Sequence, residues 1–255
     1  MGDLEAALRA VRDRGAKSFV PYVTGGYPGV DAAFLRMLAA TGADAIEVGV
    51  PHSDPTMDGG VIQEASRVAL QRGTRLGDVL ASIADAAIDI PVAVMTYANI
   101  VHRRGYEAFC DDLVRSGVDG AIVPDLPVDE AERFDALGAA RGIDIVLLAA
   151  PGTTAQRYEA IAAASRGFVY CVATYGVTGA RDQLSATARE VVAAVRPHTD
   201  LPLLVGVGIA TPEQAAAASA FADGVIVGSA LLAPLVAGDP EAALRLAETF
   251  RREIA

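Results

Sequence analysis

Short apolar runs alternate with longer amphipathic segments along the chain of 255 residues, and this alternation repeats eight times. The short runs are rich in β-branched residues, which is typical of buried strands, whereas the longer segments are rich in Ala, Leu and Arg at helical period. The pattern predicts strands at residues 18–24, 44–50, 91–96, 120–123, 144–148, 167–172, 202–207 and 224–227. Strands that alternate with helices are expected to pair in parallel, because each right-handed crossover returns the chain to the same end of the sheet.

Several predicted helices carry capping signals at their ends. Residues that can cap an N-terminus stand at Asp31, Asp129 and Thr211, and glycines that can end a helix stand at positions 42, 117 and 142. Eight strand–helix units predict an α/β fold, a single closed (β/α)₈ TIM-barrel domain over residues 1–255, with an extra N-terminal helix at residues 2–14 covering one end. A doubly wound open sheet is the alternative, but the turn after the first strand lacks its GxGxxG spacing.

Composition and charge exclude several classes of protein. The formal charge is −11, with 21 basic against 32 acidic residues, so an extended polyanion such as DNA would be repelled. The N-terminal segment mixes acids and bases, unlike a secretory signal, and no apolar run is long enough to cross a bilayer. Two cysteines, Cys110 and Cys171, do not make a disulfide framework. We therefore expect a cytoplasmic protein.

One acidic residue interrupts the second predicted strand. Strict alternation places Ala45, Glu47 and Gly49 on one face and the aliphatic Ile46 and Val48 on the other. Glu47 is then expected to point into the barrel near the catalytic end, where loss of water favours its protonated form and suits it to general acid or base chemistry. A buried acid paired with an arginine for stability is the alternative.

Two further aspartates follow in the loop after this strand. Asp54 lies in Ser-Asp-Pro, for which ordinary turn chemistry is the better interpretation. Asp58 lies in Asp-Gly and is an equally good candidate for a turn residue and for a second functional carboxylate.

Glycine pairs near the C-terminal half indicate a phosphate site. Gly206 and Gly208 end the seventh predicted strand, Gly228 and Ser229 follow the eighth, and residues 176–180 follow the sixth. In TIM barrels the loops after strands seven and eight, with the N-terminus of a short helix, often bind phosphate through backbone N–H groups. Glycine lets an anion approach the backbone, although glycines that serve only tight turns are the alternative.

The scarcity of some residue types constrains the reaction. Lys17 is the only lysine and precedes the first strand, at the opposite end from the predicted site, so a Schiff-base aldolase is disfavoured. His52 with Asp54 or Asp58 would be a poor metal-ligand set, and we predict no metal. These features favour carboxylate acid–base chemistry on a phosphorylated substrate.

Over nearly its whole length the chain resembles the alpha subunit of tryptophan synthase. The segments that carry the resemblance are FVPYVTGG at 19–26, EVGVP at 47–51, SDP at 53–55, DG at 58–59, IQ at 62–63, YAN at 97–99, PDLP at 124–127, GVTG at 176–179 and GVGI at 206–209. The series that begins with EVGVP is very specific to this family.

The resemblance implies a retro-aldol lyase that cleaves indole-3-glycerol phosphate to indole and glyceraldehyde 3-phosphate, without a metal or cofactor in this subunit. It assigns proton transfer to Glu47 and the indole N–H to Asp58. It also implies that Thr178 reaches toward Asp58 as loops close over the site. The implied substrate-binding residues are Tyr22, Tyr170, Thr178, Gly179, Gly208, Gly228 and Ser229.

A partner is implied as well: a pyridoxal-phosphate-dependent beta subunit that receives indole within an α₂β₂ heterotetramer for tryptophan biosynthesis. Matching positions place residues 51–60, Asn99 and the Pro127 region at that interface. The sequence departs from the family pattern at His52, where an aromatic is usual, at Gly60, where proline is usual, and at residues 174–175. These departures bear on the strength of partner coupling.

Three alternatives remain open from the sequence. A stand-alone lyase would keep the site and release free indole. A sugar-phosphate isomerase on the same barrel would convert an aminoaldose phosphate to a ketose. A non-enzymatic barrel would only bind and activate a partner, and intact Glu47 and Asp58 disfavour it.

Overall fold

A computed structural model describes residues 2–173 and 181–255, with the backbone alone for residues 181–185. Its strands are β1 Ser18–Thr24, β2 Ile46–Gly49, β3 Val92–Met95, β4 Gly120–Ile122, β5 Asp144–Val146, β6 Leu148–Ala149, β7 Val169–Val172, β8 Leu203–Gly206 and β9 Gly224–Val227. Its α-helices are α1 Asp3–Asp13, α2 Ala32–Ala39, α3 Gly60–Gln71, α4 Leu76–Ala86, α5 Ala98–Arg104, α6 Tyr106–Arg115, α7 Val128–Ala139, α8 Ala155–Ala164, α9 Arg181–Val195, α10 Pro212–Ser219, α11 Ser229–Val236 and α12 Pro240–Glu253. A short 3₁₀ turn, Arg196–His198, follows α9.

The strands form one parallel sheet in the order β5-β4-β3-β2-β1-β9-β8-β7-β6. Every strand pair in it is parallel, as the alternation of strands and helices predicts. The two edge strands β5 and β6 follow each other in the chain with Leu147 between them, so the sheet curls into a nearly closed barrel. The predicted α/β barrel with an N-terminal helix is confirmed.

The predicted fifth strand differs from the observed structure, because it is divided into two segments. The first segment pairs with β4 and the second pairs with β7. Around the division, the Arg166 N–H donates to the Ile145 carbonyl at 2.9 Å and the Tyr170 N–H donates to the Leu147 carbonyl at 3.1 Å. The strands of a tilted barrel are staggered, so this strand meets its two neighbours at different heights and pairs with each through a different segment.

Two layers of apolar side chains separate the inside of the barrel from its outside. Ile46 and Val48 belong to the large cluster between strands and helices, whereas Ala45 belongs to a smaller cluster inside the barrel. Leu4 and Leu8 of α1 are fully buried in that inner cluster. The N-terminal helix therefore covers one end of the barrel, and the alternation predicted for β2 is confirmed.

At the same end, an aspartate repeatedly ties one strand to the next. The Asp44 carboxylate accepts the Phe19 N–H at 2.9 Å, while the Asp44 N–H donates to the Phe19 carbonyl at 2.9 Å. The same reciprocal pair of bonds joins Asp119 to Val92, and it recurs at Asp223, which bonds Leu203. We call these three residues the aspartate clamps; each one fixes the register of two parallel strands where they begin.

Helix ends largely follow the predicted signals. Asp31 and Thr211 are N-caps, each accepting a backbone N–H three residues on. The N-cap of α7 is Pro127, so the prediction for Asp129 was wrong in position, and Asp129 lies in the first turn. The glycines at 42, 117 and 142 all have positive φ, as expected for helix C-termini.

Two further features concern helix length and the cysteines. No helix among the described residues is long and apolar enough to span a membrane. Cys110 in α6 and Cys171 in β7 are buried free thiols.

The clamps generate a stability prediction at Asp119, which is partly buried and bonds the Val92 N–H at 2.9 Å. Asp119→Ala leaves that N–H without its acceptor and is expected to cost about 1–3 kcal/mol of unfolding free energy. Asp119→Asn keeps an acceptor oxygen and avoids burying a charge, since burial raises the pKa of Asp119. We therefore expect it to stay close to the parent in urea denaturation; equal losses in both variants would contradict the clamp.

Candidate active site

Glu47 lies inside the barrel and is 1% exposed. It is in register with Tyr22 of β1 on one side and Ala93 of β3 on the other. Burial, followed by the nearby Asp58 charge, raises the pKa of Glu47 from 4.5 to about 8. Within the described part of the chain, its Oε2 atom has no hydrogen-bond partner. A protonated carboxyl with an unpaired oxygen is therefore presented to the barrel interior at neutral pH, and no arginine is paired with it there.

Two buried tyrosines stand beside this carboxyl. Tyr22 is 4% exposed and Tyr170 is 7% exposed. Burial raises the pKa of both phenols well above 10, and the charges of Asp58 and Glu47 raise them further. The Tyr22 hydroxyl lies where a side chain on Gly49 would be, and the Tyr170 hydroxyl lies where one on Gly206 would be. These strand-end glycines make room for the tyrosines.

Asp58 lies in the loop between β2 and α3 and is partly buried. Its Oδ2 accepts a hydrogen bond from the Tyr97 hydroxyl at 3.1 Å. Burial raises the pKa of Asp58 from 3.8 to about 6, while the Tyr97 bond and the nearby His52 lower it. The two carboxyl groups thus differ: at neutral pH Asp58 is mostly ionised and Glu47 is mostly protonated.

Tyr97 was missed by sequence reasoning as a site residue. It is the N-cap of α5, is 3% exposed, and accepts the Met57 N–H at 3.1 Å through its hydroxyl. The Ala98 N–H next to it donates to Asp125 Oδ1 at 2.8 Å, which fixes the start of the helix. The sequence signals were its place in the family segment YAN at 97–99 and its position directly after the third predicted strand, at the end of the barrel where sites occur.

The candidate phosphate residues lie after two neighbouring strands. Gly208 follows β8 with φ +97°, and Gly228 is the N-cap of α11, which begins at Ser229. Among the described residues, no side chain caps this N-terminus. Backbone N–H groups at a helix N-terminus can bind an anion. Val207 has φ +64°, which is costly for a β-branched residue and marks a strained loop at the site.

Some predicted positions fall elsewhere. Thr178 and Gly179 lie outside the described residues. Asp54 is exposed, and its N–H is bonded to the ring of His52, in keeping with a turn. Lys17 lies just before β1 and donates to the Ala222 carbonyl at 2.8 Å, at the clamp end of the barrel. In the described parts of the chain no cluster of three or more His, Cys, Asp or Glu side chains could hold a metal ion.

A cavity of about 260 Å³ opens at the C-terminal ends of the strands, and Met57, the residue before Asp58, contributes to its wall. Its apolar lining includes Leu126, Leu148 and Val172. Asp125 and Arg157 also line it. The walls therefore combine apolar side chains with charged ones.

Comparison with known proteins places this arrangement in a family. The family model described as tryptophan synthase alpha chain matches residues 8–254. The chain belongs to this family.

Curated and solved relatives agree along the full length. The tryptophan synthase alpha chain of a Synechocystis strain is 44% identical over 259 residues, which cover 100% of this chain and 98% of the relative. A structure of Mycobacterium tuberculosis tryptophan synthase superposes with a TM-score of 0.91 at 39% identity, covering 99% of this chain and 98% of that one. An alpha chain from Legionella pneumophila gives 0.87 at 34% identity, covering 100% and 97%.

The tryptophan synthase alpha chain family was predicted from motifs that include Glu47 and Asp58, and the match confirms it. The segment that is most specific to the family, residues 47–59, contains both Glu47 and Asp58. It runs from β2 into the loop at the C-terminal end of that strand.

Glu47 generates a prediction about pH and stability. Its folded pKa of about 8 exceeds the ordinary 4.5, so the folded protein holds a proton that the unfolded chain has released between these values. The stabilisation is complete below pH 4.5 and is lost as pH rises toward and through 8, by on the order of 4–5 kcal/mol. Glu47→Gln is expected to remove much of this loss.

Urea denaturation at pH 5 and pH 8 measures the effect. Glu248→Gln, at an exposed position of α12, is the matched control and should retain the parent's dependence. An unchanged pH dependence in Glu47→Gln would contradict a protonated, buried Glu47.

Proposed function

We propose that the chain cleaves indole-3-glycerol phosphate to indole and glyceraldehyde 3-phosphate, with Glu47 and Asp58 as its catalytic carboxylates. The observation that carries the assignment of residues is Glu47, a buried carboxyl with an unpaired Oε2 atom beside a second acid. The reaction class itself follows from membership of the tryptophan synthase alpha chain family.

The protonated Glu47 carboxyl supplies the proton that the reaction needs first. It protonates indole C3, and the ring becomes an iminium with positive charge on nitrogen. The resulting Glu47 carboxylate then accepts the proton of the glycerol hydroxyl on the adjacent carbon. As that carbon becomes an aldehyde, the electrons of the breaking carbon–carbon bond return to the ring and restore indole. One residue thus acts as acid and then as base, and ends with the proton it began with.

Asp58 complements this proton transfer by remaining ionised. Its carboxylate accepts the indole N–H and stabilises the positive charge that develops on the ring nitrogen. The opposite protonation states of the two acids match their opposite tasks. The cavity next to Met57, with the apolar side chains of Leu126 and Val172 in its wall, receives the indole ring.

Phosphate binding is assigned to the other side of the barrel mouth. Gly208, Gly228 and Ser229 supply backbone N–H groups and a hydroxyl, and α11 directs its positive end at the anion. Tyr170 lies beside the substrate and Tyr22 near the indole pocket. Thr178 and Gly179 complete the substrate site on the basis of the family resemblance.

The subunit needs no cofactor, because pyridoxal phosphate belongs to the beta subunit of this enzyme family. Its partner is that beta subunit, in keeping with solved relatives that are tryptophan synthase structures. Indole passes to the beta subunit for tryptophan synthesis, within an α₂β₂ assembly. We further place the chain in the cytoplasm as one barrel domain over residues 1–255.

The alternative enzyme classes are separated by family and by partner response. A sugar-phosphate isomerase could use the same protonated and ionised acids, and membership of the tryptophan synthase alpha chain family disfavours it. A stand-alone lyase shares the same chemistry and differs only in its response to a beta subunit.

The assignment of Glu47 predicts that Glu47→Gln nearly abolishes indole release while the fold remains intact, because an amide cannot deliver or accept the proton. Indole is measured with the purified chain alone and after titration with a beta subunit, and circular dichroism checks the fold. Stimulation by the beta subunit identifies the coupled enzyme rather than a stand-alone lyase. Near-normal turnover by a folded variant would refute the role of Glu47.

The two carboxyl groups also predict a bell-shaped pH dependence of kcat/KM for the free enzyme. Activity should rise as Asp58 loses its proton near pH 6 and fall as Glu47 loses its proton near pH 8. Initial rates across pH 5 to 9 measure both limbs. A rate that continues to rise above pH 8 would show that Glu47 acts first as a base.

A further inference from the structure

His52 occupies a position with three directed contacts. Its Nδ1 accepts the Asp54 N–H at 3.1 Å, so the ring proton lies on Nε2 and is donated to Asn99 Oδ1 at 3.1 Å. Its ring stacks on Tyr97, with centroids 4.4 Å apart and planes 21° apart. Two hydrogen bonds on opposite edges of the imidazole therefore hold it flat against the phenol.

The stacked phenol is the one that holds Asp58. The Tyr97 hydroxyl donates to Asp58 Oδ2 at 3.1 Å and accepts the Met57 N–H at 3.1 Å. Next to it, the Ala98 N–H donates to Asp125 Oδ1 at 2.8 Å, which fixes the backbone beside the phenol. An unbroken series of contacts thus runs from His52 through Tyr97 to Asp58.

We infer that His52 is a positioning residue for the reaction, which acts through its stack on Tyr97 to set the place and charge of Asp58. The inference rests on the proposed function of Asp58. His52 does not touch the reacting atoms, and its two hydrogen bonds orient the ring while the stack transmits the orientation. Aromatic pairs of this geometry contribute beyond their buried area.

A purely local role in the loop is the competing explanation, and two variants separate the roles. His52→Asn keeps an acceptor for the Asp54 N–H, two residues on, and removes the stack. His52→Phe keeps the stack and removes both hydrogen bonds. If the stack matters, we expect His52→Asn to lower kcat about 2- to 10-fold, with KM little changed, and His52→Phe to retain most activity.

The decisive measurement is a double-mutant cycle with Tyr97→Phe, on the chain without a beta subunit so that partner contacts do not enter. Tyr97→Phe removes a hydrogen bond to a charged group and is expected to lower kcat about 10- to 100-fold. The acid limb should move to higher pH, because that bond lowers the pKa of Asp58. Adding His52→Asn to Tyr97→Phe should change kcat by less than about 2-fold.

A measurement that does not depend on turnover accompanies the double-mutant cycle. A ¹³C NMR titration, with Asp58→Asn identifying the signal, should show the Asp58 pKa raised in Tyr97→Phe and raised more in His52→Asn than in His52→Phe. Both His52 variants lose the imidazole that lowers this pKa, so the difference between them reports the stack. His102→Asn is the matched control. The ring of His102 in α5 also packs on a tyrosine, Tyr106 of α6, with ring centroids 5.2 Å apart. This variant should leave the kinetics and the Asp58 signal unchanged.

The outcomes are distinct. The inference would be overturned if the effects of His52→Asn and Tyr97→Phe on kcat multiply. It would also be overturned if His52→Asn has a normal kcat, or if His52→Phe lowers kcat as much as His52→Asn does. If the parent chain releases no indole, or if Asp58→Asn is active, the proposed function is overturned instead.

Discussion

The fixed register of the parallel strands is the constraint on which the site depends. Each aspartate clamp exchanges two hydrogen bonds with the first or second residue of a neighbouring strand, so the two strands begin at a defined height. Because side chains alternate with a period of two, a slip by one residue would turn Glu47 out of the barrel and into the helix layer. Interactions at one end of the barrel therefore decide which side chains appear at the other.

Much of the architecture could be predicted from the chain because its signals are local. Apolar runs, capping residues and the period of two gave the strands and the inward direction of Glu47. The division of the fifth strand at Leu147 could not be predicted, because it depends on how two distant neighbours meet the strand. Asp129 was misplaced for a simpler reason: the N-cap of the helix is Pro127, two residues earlier.

The site was predicted where residue type alone is unusual and missed where the role depends on contact. An acid in an apolar strand is conspicuous, and family motifs extended that observation to Asp58. Tyr97 stands in a family segment without an assigned role, and its contact with Asp58 is a hydrogen bond across 39 positions in sequence. Likewise, the spacing of Gly206 and Gly208 favoured phosphate binding, whereas Gly206 also provides room for Tyr170.

The strand-end glycines have a consequence for how the site can change through evolution. Tyr22 and Tyr170 each occupy the space that a single methyl group on Gly49 or Gly206 would fill. An alanine at either position would overlap the phenol, so even the smallest substitution would force the tyrosine to move. A lineage that exchanged either glycine would therefore have to change its tyrosine or its packing at the same time, and each glycine–tyrosine pair is expected to evolve as a unit.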